Sequence, residues 1–253
     1  YVLSDKPDSI NLQSLDEKLE TLKDIGLDIV LIIPFDKEFS LMSAQMFADT
    51  VLKDLFNPTL ISVGTNHYFG HKKEGDFEFL KAFCSDNNIE LHTPVMREHK
   101  GSTISSSLIR SLILDGNSSK VYDYLGRFYG FNATVVSGSN RGKTMNYPTA
   151  NFIPTFENQL LPSTGVYLTR IFLDGERYFG MMNAGVRPTF NEKKFVMEVH
   201  ILSDKFGHLY DKNFYIEFLD KIRDEKKFDS KELLIKQIEK DKEVCIELID
   251  TFK

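Results

Sequence analysis

The sequence predicts two folds in succession: an α/β first half built on a parallel sheet, then a small closed β-barrel with a closing helix. In the first half, strand-like apolar runs alternate with helix-spaced apolar residues, which is typical of parallel strands joined by crossover helices. In the second half, short strand-like segments follow one another without helices between them, which favours a barrel. The pattern changes at Gly126-Arg127, so we expect one domain over residues 1–126 and another over residues 127–253.

The first half begins with a predicted helix over residues 15–25, where apolar residues recur with helical spacing and a glycine follows. Ser14 and Glu17 have the spacing of a capping box at its start. Ile29–Ile33 is a continuous apolar run, which predicts a strand buried on both faces. The same half contains predicted helices over residues 44–55, 76–83 and 121–125, and predicted strands over residues 60–63 and 89–91.

The second half contains a predicted helix over residues 229–252 and strand-like segments over residues 131–136, 165–173, 177–182, 195–202 and 213–218. The segment 195–202 is the most informative, because side chains alternate along a strand. Its apolar face should fill the barrel and consists of Phe195, Met197, Val199 and Ile201. Glu198 and His200 share the opposite face, and a solvated charged pair on an outer strand is the alternative interpretation of them.

Composition and charge restrict the class of protein. The net charge of −6 argues against a nucleic-acid binder, which would normally carry a basic face. No apolar run approaches the length of a membrane span. The 2 cysteines exclude a disulfide framework or a zinc cluster and fit a reducing compartment. We therefore expect a cytoplasmic protein without a secretory signal, with small-molecule partners and neither nucleic acid nor membrane; a homo-oligomer is left open.

The segment G-S-N-R-G-K-T-M-N-Y-P-T-A-N, residues 138–151, can wrap a polyanion because it combines flexible glycines with cations, namely Gly138, Gly142, Arg141 and Lys143. The rigid Pro148 is followed by Thr149 and Asn151, which point to the same side of an extended backbone. Mg²⁺ that already holds nucleotide phosphates needs only a few such oxygen ligands. An ordinary basic hairpin loop is the alternative interpretation.

Three stretches of the first half could carry chemistry. P-F-D-K-E-F at 34–39 and the segment 63–76, which contains Asn66, follow predicted strands, where ligands of parallel sheets bind. The third is I-S-S-S-L-I-R at 104–110, in which Ser105 is a good helix N-cap. Ser105, Ser106 and Ser107, together with the amides of a helix N-terminus, can hold a phosphate. Arg110, one turn further on, could reach a second phosphate. Plain loops and a simple capping run are the alternatives.

P-T-A-N at residues 148–151 resembles the signature of the nucleotide loop of riboflavin kinase. The resemblance implies a six-stranded barrel that binds ATP and Mg²⁺ through this loop, with Thr149 and Asn151 at the metal. E-x-H matches the strand position of the family's catalytic glutamate, so Glu198 is implied to orient or deprotonate the ribityl 5'-hydroxyl of riboflavin, with His200 in a supporting role. N-A-G-V-R-P-T-F at 183–190 and I-R-D-E-K-K-F-D-S at 222–230 also resemble the family, and we expect flavin contacts from Arg187, Arg223 and Phe228.

P-F-D, the N-x-x-F-G at 66–70 and I-S-S-x-x-I-R resemble, in order and spacing, the N-terminal domain of bacterial bifunctional riboflavin kinase/FMN adenylyltransferase, also called FAD synthetase. The resemblance implies a Rossmann-like nucleotidylyltransferase domain whose nucleotide and flavin site includes Asn66, Ser105, Ser106, Ser107 and Arg110. The H-x-G-H motif of that superfamily does not occur in the sequence. We therefore expect either a longer natural protein or an inactive adenylyltransferase domain.

The leading hypothesis is an enzyme of flavin biosynthesis. ATP and riboflavin would give FMN and ADP in the second half, and ATP and FMN would give FAD in the first half if the natural protein carries the missing motif. The alternative is a flavin- or nucleotide-binding regulator descended from such an enzyme. A third hypothesis is an adenylyltransferase that acts on another substrate.

Overall fold

The computed structural model describes residues 10–95, 98–99, 101–137, 147–188, 193–203 and 212–252, apart from the side chains of residues 187, 188, 193 and 194. These residues divide into two units, one containing residues 27–104 and the other containing residues 10–26 and 105–252. The segments 10–26 and 105–126 therefore share a unit with the second half of the chain. A functional boundary after Gly126 stays a prediction.

The helices within the described residues are α1 (Leu15–Asp24), α2 (Ala44–Phe47), α3 (Phe77–Asp86), α4 (Ser106–Leu114), α5 (Ser118–Leu125) and α6 (Lys231–Ile249). The strands are β1 (Leu60–Ser62), β2 (Glu90–His92), β3 (Glu98–His99), β4 (Ser102–Thr103), β5 (Tyr129–Val136), β6 (Ala150–Pro154), β7 (Gly165–Leu173), β8 (Glu176–Pro188), β9 (Lys193–Ile201) and β10 (Asn213–Arg223). A π-helix, Ala48–Phe56, continues α2. None of the helices in the described residues is both long and apolar enough to span a membrane.

The first unit contains a parallel strand pair with a crossover helix, as predicted. Leu60 of β1 lies opposite Glu90 of β2, and α3 forms the connection between the two strands. The helix begins where Asp76 accepts a hydrogen bond from the backbone N–H of Phe79 at 2.9 Å, which satisfies one of the free amides at its N-terminus. The carboxyl end of β1 leads into the 63–76 segment, so the loop position inferred from the sequence is correct.

The predicted strand over Ile29–Ile33 is wrong. These residues form no strand, and the side chains of residues 29–32 are exposed, with 75% of Ile29 and 52% of Ile32 accessible to solvent. A strand buried on both faces needs neighbours that hydrogen-bond its edges and cover its faces. Within the described residues, β1 pairs only with β2, so the apolar run has no strand partner there.

The second unit contains a closed antiparallel barrel of six strands in the order β10-β5-β6-β9-β8-β7, with β7 pairing back to β10. This confirms the barrel and its closing helix α6. Among the barrel strands, the sequence pattern missed only β6, which is 5 residues long, begins two residues after Pro148 and ends at Pro154. Proline and a polar residue in such a short segment conceal the alternation that identifies the other strands.

Alternation places one face of each strand in the barrel interior, where Met197 and Val199 are almost fully buried next to Phe131. The predicted apolar face of β9 is thereby confirmed. Helix α6 covers part of the outer face, where Leu168 and Leu219 pack against Cys245. Glu198 and His200 lie on the opposite, outer face of β9.

Helix α1 is fixed to the barrel through one buried carboxylate. Glu17 is 6% exposed and closes the predicted capping box with Ser14. One of its carboxylate oxygens accepts hydrogen bonds from the backbone N–H and the side-chain amide of Asn132 in β5, at 2.7 and 3.0 Å. The other accepts the backbone N–H of Ser14 at 3.0 Å. All these partners are donors, so the site suits a carboxylate.

Replacing Glu17 with glutamine should destabilise the second unit. The amide group puts a donor where the site already supplies only donors, so at least one buried group loses its partner, at a cost of about 1–3 kcal/mol in the free energy of unfolding. Urea denaturation followed by circular dichroism measures this loss. Glu20→Gln, on the exposed side of α1, is the matched control and should stay within about 0.5 kcal/mol of the unmodified protein. Equal stability of the two variants would contradict the assigned role.

Candidate active site

Three neighbouring barrel strands carry a row of polar side chains on their outer face. Glu198 of β9 lies opposite Asn151 of β6 on one side and opposite Asn183 of β8 on the other. Side chains directly opposite each other in antiparallel strands share a face. Thr149, which precedes β6, donates its hydroxyl hydrogen to a Glu198 carboxylate oxygen at 3.2 Å. The register therefore brings together Thr149, Asn151 and Glu198, which the sequence singled out.

A cavity of about 610 Å³ opens beside this row on the outside of the barrel. Thr149, Glu198 and His200 contribute to its wall on the barrel side, and the 223–231 segment and α6 contribute to the other side. Apolar side chains such as Met181 line the interior between them. Both the volume and the combination of apolar walls with a few polar groups are typical of a small-molecule site.

Arg223, at the end of β10, holds the segment that forms the far wall. Its guanidinium bonds both carboxylate oxygens of Asp241 in α6 at 2.7 to 3.0 Å, and Asp241 is 3% exposed. Gln237 donates a further hydrogen bond to the same carboxylate at 2.7 Å. The guanidinium carbon also lies 5.8 Å from the ring centroid of Phe228. Most of the hydrogen bonds of the Arg223 guanidinium are therefore made within the protein. Phe228 presents an aromatic ring at the cavity.

His200 lies two positions from Glu198 on the same face and is half-buried. Its Nδ1 atom lies 2.9 Å from the carbonyl oxygen of Pro148. Burial lowers the pKa of His200; the hydrogen bond to Pro148 partly offsets this shift, and the positive charge of Lys242 adds to it. The imidazole is therefore neutral near pH 7.

The first unit contains a separate cavity of about 430 Å³. It brings together the P-F-D-K-E-F stretch and the segment after β1, because Phe35 and Phe39 line it together with Lys72 and Lys73. Asn66 is in the same loop as these lysines but does not line the cavity.

The serine run of the sequence belongs to the second unit. Ser105 is the N-cap of α4 and accepts the backbone N–H of Leu108 at 3.2 Å, as predicted, with Ser106 and Ser107 in the first turn. The Arg110 guanidinium donates to the backbone carbonyl of Ile10 at 3.2 and 3.4 Å. In this arrangement Arg110 anchors the start of the described chain, and a phosphate-binding role for the run stays a prediction.

Some of the predicted site residues lie outside the part of the chain that the structure describes. Gly138, Arg141, Gly142 and Lys143 are not among the described residues, and neither is the side chain of Arg187. Sequence reasoning, in turn, missed two residues of the site. Asn183 stands in the quoted N-A-G-V-R-P-T-F stretch, but its place beside Glu198 depends on the strand register. Asp241 lies among the charges of an amphipathic helix, and the sequence carries no signal that it faces Arg223.

Comparisons with known proteins agree with this architecture. Residues 125–249 match a family model described as riboflavin kinase, and residues 1–108 match one described as FAD synthetase. A bifunctional riboflavin kinase/FMN adenylyltransferase from Listeria monocytogenes is 33% identical over 233 residues, covering 92% of this chain and 73% of the relative. The protein of the same description from Escherichia coli K12 is 32% identical, covering 91% and 73%. A solved structure described as a macrolide-efflux protein from Streptococcus pneumoniae superposes with a TM-score of 0.86 at 30% identity, covering 96% of this chain and 79% of the other.

The fold and these matches define an enzyme of flavin cofactor biosynthesis, the route from riboflavin through FMN to FAD. The chain belongs to the family of bifunctional riboflavin kinase/FMN adenylyltransferases. The resemblance inferred from P-T-A-N and from the motifs of the first half is thereby confirmed. The substrates that the family implies are ATP, riboflavin and FMN.

Proposed function

We propose that the second unit transfers the γ-phosphoryl group of MgATP to the ribityl 5'-hydroxyl of riboflavin, with the residues of the outer barrel face as its catalytic site. The observation that carries this proposal is the convergence of three side chains: Asn151 lies opposite Glu198 in the paired strands, and Thr149 and Glu198 line a cavity large enough for a flavin. The carboxylate is the one negatively charged group among the three. Glu198 therefore acts as the base in this proposal, and Thr149 and Asn151 bind the nucleotide and its metal ion.

Glu198 accepts the proton of the ribityl hydroxyl. The hydroxyl oxygen then forms a bond to the γ-phosphorus while the bond from that phosphorus to the β,γ-bridging oxygen breaks, and ADP leaves. Phosphoryl transfer requires little covalent help from the protein, so positioning of the hydroxyl contributes alongside proton removal. The hydrogen bond from Thr149 helps to orient the Glu198 carboxylate, which lines the cavity where the substrate hydroxyl binds in this proposal.

Thr149 and Asn151 are suited to Mg²⁺ that arrives with the nucleotide. Hard divalent cations prefer oxygen ligands, and Mg²⁺ in nucleotide sites takes only one or two from the protein. Asn151 is 8% exposed, and its side chain makes no hydrogen bond within the described part of the chain, so its oxygen is available to a ligand. When bound, Mg²⁺ supplies positive charge that stabilises the transferring phosphoryl group.

Riboflavin occupies the apolar part of the cavity in this proposal. An isoalloxazine ring is flat and aromatic, and it requires apolar walls with a few polar contacts. Phe228 supplies an aromatic wall, and Arg223 fixes that wall by its pairing with Asp241. Arg223 lines the same cavity, and in this proposal it acts on the flavin by positioning Phe228.

Replacing Phe228 with alanine should raise the Kd for riboflavin about tenfold, because the flavin loses both the apolar area of the phenyl ring and the aromatic contact with it. Quenching of flavin fluorescence measures the Kd. Phe172→Ala is the matched control, because Phe172 is an aromatic residue of the same barrel that lies away from the cavity. Riboflavin binding that is insensitive to Phe228→Ala would remove the flavin from this wall.

The direct test of the proposed function is the conversion of riboflavin to FMN by the full chain with MgATP, followed by chromatographic separation of the flavins. Formation of FMN and ADP in equal amounts is the expected result. If the chain binds riboflavin tightly and forms no FMN, the site is not a kinase site and the regulator hypothesis replaces it.

For the adenylyltransferase step, we propose that the cavity of the first unit receives FMN. Phe35 and Phe39 offer aromatic surface for the flavin ring, and Lys72 and Lys73 place two cations beside it for the phosphate. The Kd values for FMN and for riboflavin, each measured by fluorescence titration, test this. Lys73→Gln should raise the Kd for FMN and leave the Kd for riboflavin unchanged. Equal effects on both flavins would exclude a phosphate contact.

A further inference from the structure

A hydrogen bond joins the strand that carries Glu198 to the segment that carries Thr149. We propose that His200 is a positioning residue for MgATP, which fixes the Pro148–Thr149 peptide and so directs the Thr149 hydroxyl toward Glu198 and the nucleotide. This inference rests on the proposed kinase function. The juxtaposition that carries it is the 2.9 Å contact between His200 Nδ1 and the carbonyl oxygen of Pro148.

The chemistry of the contact determines the state of the imidazole. A carbonyl oxygen can only accept a hydrogen bond, so Nδ1 must carry the hydrogen. The neutral imidazole then has its free electron pair on Nε2. The lowered pKa of His200 agrees with a neutral ring that keeps this single tautomer.

The backbone geometry explains why one hydrogen bond has leverage over Thr149. The carbonyl of Pro148 and the N–H of Thr149 belong to one planar peptide unit. Proline also fixes its own φ near −65° and restricts the residue before it to extended conformations. When His200 holds the carbonyl, little backbone freedom remains between Tyr147 and Thr149. The Thr149 hydroxyl can then meet Glu198 at 3.2 Å before the nucleotide binds.

A second contact holds the ring in place. The ring of Tyr147 meets that of His200 edge-on, with 5.4 Å between ring centroids and 72° between planes. The ammonium nitrogen of Lys242, on α6, lies 5.9 Å from the Tyr147 ring centroid. Tyr147 is therefore packed between His200 on the barrel and Lys242 on the closing helix. Both sides of the Tyr147–Pro148 segment are supported where it enters the site.

Two substitutions separate the hydrogen bond from the rest of the histidine. Asparagine carries its amide nitrogen at the distance from Cβ that Nδ1 has in histidine, so His200→Asn can still donate to Pro148. Glutamine carries its amide nitrogen one bond further out, near the position of Nε2, so His200→Gln loses this contact. We expect kcat/KM for MgATP to fall about tenfold in His200→Gln, the equivalent of one lost hydrogen bond, and to stay within about threefold in His200→Asn.

The full chain is assayed with riboflavin and MgATP, and the midpoint of urea unfolding is measured for each variant. Positioning of the nucleotide predicts a raised KM for MgATP in His200→Gln with an unchanged KM for riboflavin. Equal losses in both variants, or equal effects on both substrates, would overturn the proposal. A collapse of kcat in both variants would instead make His200 a proton-transfer group through Nε2.

A spectroscopic measurement keeps the test independent of activity. Nitrogen-15 NMR of the protein labelled at histidine distinguishes the two neutral tautomers, and the signal missing in His200→Asn identifies His200 among the 6 histidines. The expected result at pH 8 is hydrogen on Nδ1 and none on Nε2. The opposite tautomer would overturn the proposal even in a protein with full kinase activity. A chain that shows the expected tautomer but forms no FMN would refute the kinase function instead.

Discussion

Replacing Glu198 with glutamine should lower the turnover of riboflavin by about 10²–10⁴-fold, the usual contribution of a general base. Glutamine preserves the shape of the side chain and can still accept the hydrogen bond that Thr149 donates at 3.2 Å. It cannot accept a proton at neutral pH, and it removes a negative charge. The Kd for riboflavin should change little, because the base acts mainly in the transition state.

Two measurements distinguish this outcome from a general loss of structure. Turnover is followed by separating FMN from riboflavin, and binding is followed by flavin fluorescence at equilibrium. Glu176→Gln is the matched control, because Glu176 is an exposed carboxylate on the neighbouring strand β8 that does not line the cavity. Turnover of Glu198→Gln that equals that of Glu176→Gln would eliminate Glu198 as the base.

The strand that carries Glu198 could be predicted because its side chains alternate without interruption. Three apolar residues of β9, Met197, Val199 and Ile201, are buried as the pattern requires, and this alone assigns Glu198 to the outer face. What covers that face could not be predicted. The cavity depends on α6 and on the 223–231 segment, which are remote in sequence and pack there only in the folded barrel.

Register is the second property that pattern alone does not supply. Asn151 and Asn183 lie on either side of Glu198 because β6 and β8 pair with β9 in one particular alignment. A shift by one residue would turn each side chain to the other face. The family resemblance pointed to Asn151 through P-T-A-N, whereas Asn183 emerged only from the paired strands. The failure at Ile29–Ile33 has the same origin, because strand formation depends on partners that a local pattern does not specify.

The second large effect is expected at the nucleotide. Thr149→Ala and Asn151→Ala should each lower kcat/KM for MgATP by about 10²-fold, because each removes an oxygen that positions charge on the transferring phosphoryl group. The concentration of Mg²⁺ needed for half-maximal rate should rise in both variants. Binding of riboflavin without nucleotide should stay unchanged, since the apolar wall around Phe228 is intact.

Thr149→Ser is the matched control, because serine keeps the hydroxyl that donates to Glu198 and removes only a methyl group. Its rate should therefore stay within a few-fold of the unmodified enzyme, and its Mg²⁺ dependence should not shift. A loss in Thr149→Ser as large as that in Thr149→Ala would point to packing of the methyl group instead of the hydroxyl oxygen. If Thr149→Ala and Asn151→Ala both slow turnover at every Mg²⁺ concentration by the same factor, these oxygens orient Glu198 or the nucleotide directly, and the metal is held elsewhere.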